Sequence, residues 1–149
     1  LRILKMYFQY HFQEKIRGDQ GAAYSVQVLG GTSSSPDYQQ ELFIRFATSL
    51  DEGPEMRSLV RERIQEFLKQ GITDEEVEDF ILAIKKEKKS ADDVAYNTIV
   101  FWTDNLQFYN KTGKRMDSPI YFDSIVDKIK AKDVLVFARK FFNSAQCAI

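Results

Sequence analysis

The sequence predicts an α+β fold, a small antiparallel sheet with helices packed on one face. Three observations carry that expectation. Period-two alternation of apolar and polar residues is confined to two neighbouring segments, near residues 24–30 and 42–46, whereas stripes of helical period fill most of the remainder. Strands clustered before a run of helices, rather than alternating with them, indicate α+β and not βαβ architecture. The 149 residues suit one core, since a chain of this size buries roughly 68–70% of its unfolded surface, so residues 1–149 read as a single domain.

Leu4, Phe8, Phe12 and Ile16 recur every four residues with Ile3 and Tyr7 beside them, giving a first helix with one broad apolar stripe. Gly18 and Gly21 then relax the backbone, and Tyr24, Val26 and Val28 alternate with Ser25 and Gln27 in a strand expected to end at Gly30-Gly31. The polar loop 32–37 leads to a second strand in which Leu42, Ile44 and Phe46 face away from Phe43 and Arg45, so the two strands form a hairpin. Asp51-Glu52-Gly53-Pro54 opens the next helix, whose Met56, Leu59, Val60, Ile64, Phe67 and Leu68 share a face and whose stop is Gly71. Thr73 and Glu76 have the spacing of a capping box, which starts a helix carrying Val77, Phe80, Ile81 and Ile84 and running into Lys85-Lys86-Glu87-Lys88-Lys89, a solvated face. A further helix bears Ile99, Val100, Trp102, Leu106 and Tyr109 and ends near Gly113. Another begins at Ser118-Pro119 with Phe122, Ile125, Val126 and Ile129, and the last runs from about Asp133 through Phe137, Ala138 and Phe141. Residues 145–149 have the character of a strand beginning. The chain opens at Leu1 already inside a helical pattern with no cap before it, so sequence upstream is expected to supply further strands of the sheet.

Composition narrows the function. A formal net charge of −1 gives no electrostatic footprint for nucleic acid, and no apolar run approaches the ~20 residues needed to span a bilayer. One cysteine, Cys147, forms no internal disulfide and builds no metal site alone. His11-Phe12-Gln13-Glu14-Lys15 approaches the inverted zinc motif H-x-x-E-H, but Lys15 stands where the second histidine belongs and the chain has no other histidine. No metal site is expected, and His11, among Leu4, Tyr7 and Phe8, reads as a packed core histidine. Gly30-Gly31-Thr32-Ser33-Ser34-Ser35 lacks the lysine and following helix of a phosphate loop. Trp102 at helical spacing reads as core, and the acid pairs Asp51-Glu52 and Asp92-Asp93 as cap and loop residues.

The remaining constellation is Arg17 and Tyr24, seven apart in Ile16-Arg17-Gly18-Asp19-Gln20-Gly21-Ala22-Ala23-Tyr24-Ser25-Val26. A forked guanidinium and a rotatable phenol can together hold a polarised carbonyl or a developing oxyanion. This spacing resembles that of pitrilysin- and insulinase-type zinc peptidases, whose zinc-free half carries such an Arg and Tyr. The likeness extends over nearly the whole chain, through Ala23-Tyr24-Ser25-Val26, the hairpin, Gly71-Ile72-Thr73-Asp74-Glu75-Glu76, and the Asn-Thr-Ile-Val-Phe-Trp-Thr-Asp-Asn-Leu segment at 97–106. The resemblance implies the substrate-holding half of a bacterial zinc metalloendopeptidase, inactive by itself, with Tyr24 donating to the oxyanion and Arg17 holding a neighbouring substrate carbonyl. It further implies zinc in a partner half on the same or a separate chain, a peptide substrate, and a periplasmic or envelope location, with the cytoplasm an alternative. A second implied function is a catalytically inactive structural or interaction domain of the same fold.

Overall fold

The computed structural model describes residues 1–19, 25–33, 39–95, 98–113 and 119–144. Among the described residues, six helices and two strands follow in the order α1 (Arg2–Asp19), β1 (Val26–Ser33), β2 (Gln39–Phe46), α2 (Gly53–Gln70), α3 (Asp74–Ala95), α4 (Ile99–Thr112), α5 (Pro119–Val126) and α6 (Ala131–Ser144). The fold is α+β. It divides into two compact units, one formed by residues 1–77 and 130–149 and the other by residues 78–129.

In the first unit β1 and β2 pair antiparallel without interruption from Val26 opposite Phe46 to Ser33 opposite Gln39. The strand therefore runs past Gly30 and Gly31, where the sequence alone suggested an end. By alternation from the bonded Ser25–Ala47 pair, Leu29–Phe43 and Gly31–Glu41 are bonded pairs on either side of Gly30, so the ladder carries the strand through both glycines. Val26 and Val28 are buried and α1 packs against β1, while Leu29 and Phe43 on the opposite face remain 39% and 48% exposed. One sheet face is thus covered and the other open, the arrangement that period-two alternation encodes.

Aromatic packing joins the elements of this unit. Phe8 of α1 lies 5.4 Å from Phe67 of α2 and 6.1 Å from Phe142 of α6, and stacks on Phe12 at 5.7 Å. Leu4, Phe8, Phe12, Phe67 and Val77 are all but fully buried, with Ile3, Met56, Ile72, Val134 and Ala138 around them. Gly71 ends α2 with φ 79° and donates its N–H to the Phe67 carbonyl at 2.7 Å, a conformation that favours glycine. Arg139 of α6 donates to the Leu68 carbonyl at 3.0 and 3.3 Å, and the Ala131 N–H donates to the Asp74 carboxylate at 2.8 Å. Arg139 therefore closes the C-terminal end of α2, and Asp74 of α3 closes the N-terminal end of α6, each meeting a backbone group without a partner in its own helix.

The second unit holds most of α3 with α4 and α5. Ile81, Ile84 and Val126 are buried, and Lys85 pairs with Asp127. Lys88 sits 5.1 Å from the Phe122 ring centroid, so the lysine run makes specific contacts as well as facing water. α3 continues through Asp92 and Asp93 to Ala95, making that acid pair helical rather than a loop, since no glycine or proline intervenes to stop the helix. α4 starts with Thr98 accepting from the Phe101 N–H at 3.3 Å and ends at Gly113 with φ 67°. Its half-buried positions are Phe101, Asn105 and Phe108, whereas Ile99, Val100, Leu106 and Tyr109 are exposed. Trp102 is 54% exposed, which corrects its assignment to the core. α4 is apolar around much of its circumference, so its sequence does not reveal which apolar stripe turns inward.

Candidate functional site

Arg17 and Tyr24 flank the passage from α1 to β1. The backbone of Arg17 lies in the last turn of α1, and Tyr24 lies outside the described residues, as do residues 20–23. Cys147 and the strand expectation at 145–149 also fall outside the described residues.

The polar cluster best defined by geometry centres on the single histidine. Tyr7 and His11 lie one turn apart on α1 with ring centroids 4.1 Å apart, and the Tyr10 ring meets His11 edge-on at 5.2 Å. Across from them stands Glu76 in the first turn of α3. Its Oε2 accepts from the Thr73 backbone N–H at 2.9 Å and the Thr73 hydroxyl at 3.0 Å, while the Glu76 N–H donates back to Thr73 Oγ1 at 3.1 Å. That is the reciprocal capping box read from Thr73 and Glu76. Its other oxygen, Oε1, lies 3.1 Å from His11 Nε2. Glu14 approaches His11 Nδ1 at 3.9 Å.

His11 is therefore not a core histidine; its side chain is 30% exposed and bound to a carboxylate. The helical stripe placed it correctly on the inner side of α1, but the partner comes from 65 residues away and carries no local signal. Partial burial pushes the Glu76 carboxyl up, yet hydrogen bonds from the Thr73 N–H, His11 and the Thr73 hydroxyl, together with the field of His11, outweigh it and hold the group below its ordinary value. Burial raises the Tyr7 phenol, assisted by the negative charges of Glu76 and Glu66 and opposed by Arg63.

The depressed Glu76 value makes stability pH-dependent with a definite sign. A carboxyl whose folded pKa lies below its unfolded one contributes stability above the unfolded value, near 4.5, and loses it as pH falls through the folded value. Glu76→Gln keeps a cap-competent amide but removes the charge. Its melting temperature is expected below that of the parent at neutral pH, with the gap closing as the solution is acidified past pH 4.5. Thermal melts of both proteins across that range check it, and a gap independent of pH would contradict the charge role.

The cluster ties α1 to the start of α3. Among the described residues, no hydroxyl or thiol is bonded to His11, and the Thr73 hydroxyl donates to Glu76 instead. Among the described residues, no group of three or more His, Cys, Asp or Glu could hold a metal ion, and no helix is long and apolar enough to cross a membrane. No protein-family model matches the chain, and no curated protein matches it.

Proposed function

We propose that this chain is the zinc-free, substrate-holding half of a bacterial pitrilysin/insulinase-type zinc metalloendopeptidase. The observation that carries the reading is the Arg17–Tyr24 spacing at a helix-to-strand junction followed by a hairpin and then helices. Supporting it, Arg17 falls at the end of α1 and β1 begins two residues after Tyr24, so a single short link separates the two donors. Tyr24 donates to the oxyanion of the tetrahedral intermediate, and Arg17 fixes an adjacent peptide carbonyl through its forked donors. Neither residue acts as nucleophile or base. Zinc, bound by the other half, supplies the activated water when present. The chain alone has no activity in this reading.

The test combines the folded chain with the zinc-binding half of its parent enzyme and follows cleavage of a fluorogenic peptide library. Activity is expected from the combination and from neither half alone. If both halves are folded and the combination cleaves nothing, the protein is an inactive structural or interaction domain instead.

A further inference from the structure

The β1–β2 ladder has two outer edges, and they are treated differently. Ala47 N–H donates to the Ser25 carbonyl at 3.1 Å, which makes Ser25–Ala47 a hydrogen-bonded pair and Val26–Phe46 a non-bonded one. By alternation, the backbone groups of Val26 and Val28 point away from β2, and those of Leu42 and Ile44 point away from β1. On the β1 side, Gln9 of α1 covers this edge. Its Nε2 donates to the Val26 carbonyl at 3.0 Å and its Oε1 accepts from the Val28 N–H at 2.7 Å, so one side-chain amide imitates a neighbouring strand. Among the described residues, nothing comparable meets Leu42 or Ile44. β2 also contains no proline and no bulge over its eight residues, two of the devices that discourage a strand from pairing along its edge.

The open face of β2 carries Glu41, Phe43 and Arg45. Phe43 is 48% exposed, and the Arg45 guanidinium lies 5.9 Å from its ring centroid. This acid–aromatic–base order is self-complementary in an antiparallel arrangement. Centring a two-fold axis on Phe43 puts Glu41 of each copy opposite Arg45 of the other and sets the two Phe43 rings together. The hydrogen-bond parity agrees: such an axis makes Leu42 opposite Ile44 the bonded pairs, and these are the residues whose backbone groups point outward. Glu41, Phe43 and Arg45 then occupy non-bonded positions, where facing side chains approach most closely. On the other face the half-buried Leu42 and Ile44 of one copy meet Ile44 and Leu42 of the other.

We propose that the outer edge of β2 is an interaction surface for a second copy of this chain, paired antiparallel about Phe43 into a continuous four-stranded sheet. The charge pattern selects this occupant over an arbitrary strand, because a partner in this register must present a base opposite Glu41 and an acid opposite Arg45, which the chain itself does. The contact is small, so association belongs to the weak, concentration-dependent class.

Sedimentation equilibrium of the 149-residue chain from micromolar to millimolar concentration is expected to show a monomer–dimer equilibrium. Glu41→Arg and Arg45→Glu, each placing like charges opposite one another at two symmetric positions, should each weaken it on the order of tenfold to hundredfold. The combination Glu41→Arg/Arg45→Glu should restore it to near the parental value. In the unaltered protein, amide exchange at Leu42 and Ile44 should slow as concentration rises, a readout that needs no variant. A monomer at every concentration, single reversals that leave the dimer unchanged, failure of the double reversal to restore it, or concentration-independent exchange at those amides would each overturn the proposal.

Discussion

Phe8→Ala is expected to lower the unfolding free energy by about 3–5 kcal/mol, the range for removing a large ring from a packed interior. Phe8 is 1% exposed and contacts rings from three helices, Phe12 on its own helix, Phe67 on α2 and Phe142 on α6. Against a typical domain stability of about 5–15 kcal/mol, the loss takes roughly a fifth or more of the total. Urea unfolding followed by circular dichroism measures it. Leu50→Ala provides the contrast: Leu50 is 97% exposed, and its truncation should change stability by no more than about 0.5 kcal/mol. Similar values for the two variants would mean that the aromatic cluster does not organise the first unit.

In the assembled peptidase proposed above, Tyr24→Phe should reduce kcat by about 10²–10³, equivalent to roughly 2.7–4 kcal/mol of transition-state stabilisation, with a far smaller change in KM. The asymmetry follows from the role. An oxyanion donor interacts more strongly with the charge that develops in the transition state than with the ground-state carbonyl, so its loss appears in the chemical step rather than in binding. Phenylalanine preserves the ring and removes only the donor. Steady-state kinetics on a single peptide, with the melting temperature as a check on folding, separates the outcomes. An unchanged kcat would remove Tyr24 from the oxyanion role.

Local signals foretold most of the helices and the hairpin because their causes are local. The stripe of Leu4, Phe8 and Phe12 specifies a helix with a buried face, Thr73 and Glu76 satisfy each other's backbone donors within four residues, and Gly71 and Gly113 provide the positive φ at which helices end. Alternation along β2 likewise separated the half-buried Leu42, Ile44 and Phe46 from the exposed Phe43 and Arg45. The exposed α4 stripe and the continuation of β1 through Gly30 and Gly31 were not legible. Both depend on what lies across from the segment, a neighbouring stripe for α4 and a bonded strand for β1.

The candidate site divides along the same line. Sequence order by itself sets Arg17 and Tyr24 seven residues apart, and puts Lys15 where the zinc motif of His11 needs a second histidine. Only the tertiary structure decided that His11 meets Glu76, that Gln9 closes one sheet edge, and that no described residue does the same for the edge bearing Leu42 and Ile44. Periodicity and capping act over a few residues and are written into adjacent positions, whereas those three facts depend on contacts across distant segments, which packing of the whole chain selects.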